Sequence, residues 1–371
     1  MDHNRLALIA LHMVPGIGGG SIKQLISYFG SATEIFKQTK GKLKKVPGIG
    51  ESAAQAILSN LNIGTAEEVL KIAESRNTRV ILYYEPAFPQ RLKNLFDAPT
   101  ILFVKGETDL NAHKIISIVG TRNATPYGID MTCEMVSGLK EHNAVIVSGL
   151  AYGIDIEAHK AALENNLDTI AVMASGVNII YPAIHRAIAE KIVEKGALVS
   201  EYTFGVLPDP SRFPARNRII AGLSDATIVV EAAKKGGALI TANIANSYNR
   251  DVFALPGNVI NKYSEGCNNL IKSNNAHAIT SISDLEYIMQ WEKNDVVKNT
   301  SIQFDVVDQE ERAVIKVLHE AADSIPIDEL SWRSQIAINR LASVLLNLEF
   351  RGFVISLPGK RYQLAGKLAN A

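Results

Sequence analysis

The stretch Ser117-Ile118-Val119-Gly120-Thr121-Arg122 is followed, after one helix-length gap, by Val147-Ser148-Gly149-Leu150-Ala151-Tyr152-Gly153-Ile154-Asp155. Each is an apolar run that stops at a glycine and passes into a helical pattern, the signature of a strand leaving a parallel sheet at its carboxyl edge. Ligands bind at that edge, where helix N-termini and small residues expose backbone N–H groups to an anion. Working outward, Phe213-Pro214-Ala215-Arg216-Asn217-Arg218 adds two arginines and an amide, read as the start of another helix. Lys234-Lys235-Gly236-Gly237-Ala238-Leu239-Ile240-Thr241 opens one more. Arg122, Arg216 and Arg218 on one rim, with no metal motif beside them, point to a phosphate chain as ligand rather than to a reaction.

The flanking pattern decides the fold class. Apolar runs at 79–84, 100–104, 115–119, 144–147, 169–173, 197–200, 227–230 and 251–254 predict strands. Helical patterns at 128–141, 156–165, 184–195, 216–223 and 238–248 fall between the later ones. Near-continuous apolar strands alternating with helices require a sheet covered on both faces. The class is α/β: an extended Rossmann-like, doubly wound, mostly parallel sheet over 79–290. Before it, residues 1–75 repeat Val-Pro-Gly-Ile-Gly at 14–18 and 46–50, each followed by a helical run, which resembles a tandem helix-hairpin-helix unit. Its glycine turn lets backbone N–H groups approach a phosphate. Lys37, Lys40, Lys42, Lys44 and Lys45 precede the second turn, as a DNA contact or as a solvated face. Residues 291–308 form a linker. Three helical patterns and a hairpin around Pro358-Gly359 then make a winged-helix module at 309–371.

Composition bounds the function. Lysine plus arginine equals aspartate plus glutamate at 38 each, so a nucleic-acid surface must be a local patch. Two cysteines, Cys133 and Cys267, are too few for a disulfide framework or a zinc site, and reduced thiols fit a cytoplasmic protein. The apolar stretch at 6–14 is too short to span a membrane, and no membrane partner is expected.

Within the rim, Gly120 permits a tight exit, the Thr121 hydroxyl can donate to phosphate, and Arg122 can chelate two phosphate oxygens. Ser148, Gly149 and Gly153 resemble a phosphate loop without the Walker lysine. Asp155 is expected to cap the helix that carries His159, itself read as a satisfied structural histidine. Lys235, Gly236, Gly237 and Thr241 form an anion cradle, and residues 236–249 hold no acidic side chain, which argues against a nucleotide hydrolase. Tyr181 and Phe213 stand near the same rim, to stack bases or to fill core. One of Arg216 and Arg218 is expected on the ligand and the other in a structural bond.

These segments together resemble the bacterial DNA-processing protein A (DprA/Smf) family: SIVGTR at 117–122, VSGLAYGID at 147–155, AHKAAL at 158–163, FPARNRIIAGLSDATIVVEA at 213–232, GGALITA at 236–242, ALPGN at 254–258 and GCNNLI at 266–271. The chain departs from the family pattern at Ala174-Ser175-Gly176-Val177-Asn178, at His185 and at Gly236. The resemblance implies a homodimer that binds single-stranded DNA, is no enzyme, needs no cofactor and hands the strand to the RecA recombinase during natural transformation. Single-strand-binding protein is a further implied partner. It also implies phosphate contacts at Gly120, Thr121 and Arg122. Two rivals stand beside it: a nucleotide-processing Rossmann hydrolase, and a duplex-binding regulator acting through the winged helix.

Overall fold

The computed structural model describes residues 2–59, 63–291, 308–321, 324–351, 353–357 and 361–364. Most of the expected linker and the turn at Pro358-Gly359 lie outside them. The described residues fall into two compact units, one ending at Trp291 and one beginning at Asp308.

The first unit opens with six helices: α1 (His3–His12), α2 (Gly19–Phe29), α3 (Ala32–Ile35), α4 (Lys40–Leu43), α5 (Glu51–Ser59) and α6 (Ile63–Ser75). Six consecutive residues of α1, Leu6 to Leu11, are buried, so this helix is the core around which the others pack. The repeated pentapeptide folds identically in both copies. Gly16 and Gly48 each take φ +79°, and Ile17 and Ile49 donate their N–H to the carbonyls of Val14 and Val46 at 3.2 and 3.1 Å. Three of the five lysines before the second turn are already ion-paired, Lys37 with Glu34 and Lys40 and Lys44 with Glu51.

The sheet follows, with β1 (Thr78–Leu82), α7 (Gln90–Lys93), β2 (Ile101–Gly106), β3 (Ile115–Val119), α8 (Pro126–Gly138), β4 (Val145–Ser148), α9 (Ile154–Glu164), β5 (Thr169–Val172) and α10 (Arg186–Lys195). It continues through β6 (Ala197–Ser200), α11 (Arg212–Leu223), β7 (Ala226–Val229), α12 (Gly237–Ser247), β8 (Asp251–Ala254), α13 (Glu265–Lys272), β9 (His277–Ala278) and α14 (Ile282–Met289). The strand order is β1-β2-β6-β5-β4-β3-β7-β8-β9. Strands β6 to β9 in that order pair in parallel, and β1 and β2 extend the sheet antiparallel beyond β6. Every residue of β3 to β7 is buried, as a sheet sandwiched between helix layers demands. After β3 the chain builds in one direction to β6, then returns to place β7 on the other side of β3. The sheet therefore switches winding direction between β3 and β7, the place where such folds open a crevice.

The helical segment is fastened to the sheet by polar contacts. Arg5 pairs with Glu85, and His12 donates from Nε2 to the Glu201 carbonyl at 2.8 Å. Burial holds the His12 imidazole down at about 4, so it is neutral in this contact.

The second unit contains α15 (Gln309–Glu320), β10 (Ile325–Pro326), α16 (Ile327–Ser334), α17 (Ile338–Phe350), β11 (Val354–Leu357) and β12 (Arg361–Leu364), with sheet order β10-β12-β11. Val314, Leu318, Leu330, Leu341, Leu345 and Leu348 close its core, giving three helices on a small antiparallel sheet. That is the winged-helix arrangement expected, with β10 as a third strand too short to show in the sequence.

Candidate nucleic-acid interface

A groove of about 710 Å3 opens at the carboxyl edge where the winding direction switches. Gly120, Thr121 and Arg122 come to it from the end of β3, and Arg216 and Asn217 from α11. Lys235, Gly236, Gly237 and Thr241 arrive from the start of α12, and Tyr181 from the loop before α10. The structure thus gathers ten of the fourteen candidate residues. Ser148, Gly149, Gly153 and Arg218 are not on its wall.

Each of those four has another employment. The Ser148 hydroxyl is buried and donates to the Ile118 carbonyl at 2.7 Å, tying β4 to β3. Gly149 is buried against the Arg216 guanidinium, which a Cβ would meet at 2.5 Å. Gly153 takes φ +74° and lies on the Thr121 carbonyl, where a Cβ would collide. Arg218 points away from the rim, pairing with Glu201 and donating to the Asp97 carbonyl at 2.7 Å. The glycine loop is built to pack the protein on itself.

Arg216 also differs from expectation. Helix α11 begins at Arg212, one turn earlier than read, because Pro214 falls in the first turn, where its missing N–H has no intrahelical partner to lose. Arg216, Asn217 and Arg218 therefore sit inside the helix, away from its positive end. Arg216 is 4% exposed and donates to the carbonyls of Gly149, at 2.8 Å, and Val172. Its counter-charge is Asp155, which is buried in the first turn of α9 while Gly153 holds the cap position expected for it. Burial raises the Asp155 carboxyl and lowers the Arg216 guanidinium to about 10, and each favours the charged form of the other. His159, behind them, accepts no bond at Nε2, although Nδ1 meets Thr169 Oγ1 at 2.7 Å. It is therefore only half satisfied.

What remains exposed is compact. Of the helix N-termini at this edge, two already have a carboxylate: Glu231 holds the Thr125 N–H and hydroxyl at the start of α8 at 2.9 and 2.6 Å, and Asp155 occupies α9. Helix α12 has no acidic residue in its first turn and no side-chain cap, so its free N–H groups and dipole end face the groove. Lys235 flanks them and Arg122 lies opposite, neither with an ion-pair partner among the described residues. The Thr121 Oγ1 accepts from the Asn123 N–H at 3.2 Å, leaving its hydrogen to donate. The Thr241 hydroxyl is already used on the Gly237 carbonyl at 3.1 Å. Asn217 braces the same carbonyl at 3.3 Å, fixing the end of α12 to α11.

Rings complete the wall. Arg122 lies 5.4 Å from the Phe213 ring, which is 5.7 Å from Tyr181, so a cation and two aromatics form a row along the groove. Lys262 and Tyr263, from the loop after β8, also line it and were missed. Their signal was the strand-end rule itself, applied to β8, whose loop carries a lysine and an aromatic in sequence. Among the described residues no cluster of three metal-ligating side chains occurs, and no helix is long and apolar enough to cross a membrane.

Residues 79–290 match the family described as DNA recombination-mediator protein A. The chain belongs to that family. Residues 8–79 match a SAM-like helix-hairpin-helix tandem, and residues 305–360 the DprA winged helix domain. The chain is 32% identical to Protein Smf of Synechocystis sp. over 96% of its own length and 97% of that protein. It is 41% identical to DNA processing protein DprA of Streptococcus pneumoniae over 54% of its length and 71% of the relative. The X-ray structure of the pneumococcal DprA superposes with a TM-score of 0.67 at 31% identity, covering 76% of this chain and 97% of that one. DNA processing protein A of Helicobacter pylori, whose structure concerns its single-stranded DNA binding mode, superposes at 0.52 and 31% identity over 57% of this chain and 95% of its own.

Proposed function

We propose that the groove binds single-stranded DNA with little sequence preference. The observation that carries this reading is the uncapped positive end of α12 beside Arg122, Lys235 and the Phe213–Tyr181 ring pair in one open groove. N–H groups and guanidinium neutralise phosphates, while rings take unstacked bases, whose faces duplex DNA hides. Membership of a recombination-mediator family and the single-strand binding of the H. pylori relative support it. From the same family likeness we infer that the protein acts as a homodimer in the cytoplasm and loads the RecA recombinase on incoming DNA, alongside single-strand-binding protein. We also infer that its working divisions are 1–75, 79–290 and 309–371.

It acts by binding, without a reaction. The carboxylates nearest the groove are committed, Asp155 to Arg216 and Glu231 to Thr125. The duplex-regulator alternative is weaker, since α17 has one basic residue, Arg340, and Glu310 pairs with it at 2.8 Å. Fluorescence anisotropy of a labelled oligonucleotide with duplex competitor tests the proposal. We expect single-strand preference, and in Arg122→Ala a weaker affinity with a salt slope shallower by about 0.7. Equal binding of duplex, or turnover of a nucleoside monophosphate lost in Asp155→Asn, would overturn it.

A further inference from the structure

A second cavity, of about 230 Å3, lies where the helical segment meets the sheet. Its wall carries cations from three different elements: Arg76 after α6, Lys105 on β2 and Arg186 at the start of α10. None has an ion-pair partner among the described residues, although other arginines of this unit are engaged, Arg79 on the Gly106 carbonyl, Arg91 on Asp225 and Arg218 on Glu201. Three like charges around one cavity repel each other in the empty protein and are relieved by an anion between them. Glu190, the single carboxylate on the wall, offsets only one of them.

The floor is apolar, with Val177, Leu198 and Phe204. A cationic rim over an apolar floor matches a nucleotide, whose phosphate is charged and whose base has a flat apolar face. The loop between the two sites links them directly: Val177, Asn178 and Ile180 line this cavity and Tyr181 lines the groove. We propose that this cavity is a second nucleotide-phosphate site. Its expected occupant is the strand continuing past Tyr181, which rests on the single-strand reading above; free nucleotide is the other source of the same chemistry.

Arg76 and Arg186 are exposed, so Arg76→Glu/Arg186→Glu reverses charge without touching the core. Affinity would be measured by anisotropy for oligonucleotides of about 4 and about 20 nucleotides, and by calorimetry for adenosine monophosphate. We expect the variant to lose about tenfold on the long strand, with a salt slope shallower by about 1.4, and nothing on the short one. The short-strand result also reports that the variant is folded. Loss of adenosine monophosphate binding alone would support the site with free nucleotide as its source. Unchanged binding of both long strand and mononucleotide would overturn it. Failure of the wild-type protein to bind either strand would sink the single-strand reading instead, leaving the mononucleotide measurement to decide this cavity.

Discussion

At Gly236 stability and the proposed function are expected to pull in opposite directions. It is the cap residue of α12, its backbone is extended, and a Cβ there would meet nothing within 4 Å. Aspartate at this position would cap the helix and place negative charge on its positive end, for a gain of about 0.5–1 kcal/mol. We expect Gly236→Asp to unfold at higher urea concentration and to bind oligonucleotide at least tenfold more weakly. Arg216 behaves oppositely. Arg216→Leu strands Asp155 in the interior and should cost about 3–5 kcal/mol, read by the same denaturation, with part of the loss recovered in the double variant carrying Asp155→Leu. His159 sets a pH dependence: burial, then the nearby Arg216 charge, hold its imidazole down at about 3. The unfolded chain takes up this proton first, so the stability is complete above the ordinary value of 6.5 and is lost as pH falls from there towards 3. His12 acts in the same sense, while the raised carboxyls of Asp155 and Glu201 act against it. Comparing wild type with His159→Gln between pH 6.5 and 5 isolates the one group. Stability of the variant should fall less steeply by about 1.4 kcal/mol per pH unit.

At the scale of elements, the sequence was legible wherever burial dictates pattern. The runs of β3, β6 and β8 read off with their observed bounds because β3 and β6 are buried throughout and β8 is buried after its exposed first residue, Asp251, as strands between helix layers must be. The two-residue strands β9 and β10 carry too little pattern to be seen. The start of α11 was misplaced because Pro214 reads as a boundary yet is tolerated in a first turn. That one-turn difference places Arg216 and Arg218 inside the helix rather than at its end: Arg218 makes the structural bond expected of one of them, and Arg216 reaches the groove wall while bonded to the carbonyls of Gly149 and Val172. Glycine likewise has two uses that sequence does not distinguish. Gly236 leaves open space, whereas Gly149 and Gly153 make room for Arg216 and for the Thr121 carbonyl.

Across the whole molecule, a formal net charge of zero means that affinity for a polyanion must come from local geometry. On the proposed reading the switch between β3 and β7 supplies it, since it brings into one groove an uncapped helix end, a pair of rings and two cations with no ion-pair partner among the described residues. The glycine-punctuated strand ends disclosed where that groove would be. Which cations would be spent on the fold depended on contacts between residues far apart in the chain, such as Arg216 with Val172 and Arg218 with Asp97, and no local pattern carries these. The most direct measurement is photo-cross-linking of a single-stranded oligonucleotide containing bromodeoxyuridine to the full chain, with the attached peptides identified by mass spectrometry. We expect the cross-links on the peptides that carry Tyr181, Phe213 and Tyr263. Cross-links confined to the winged-helix unit, with none on those peptides, would contradict the assignment of the groove.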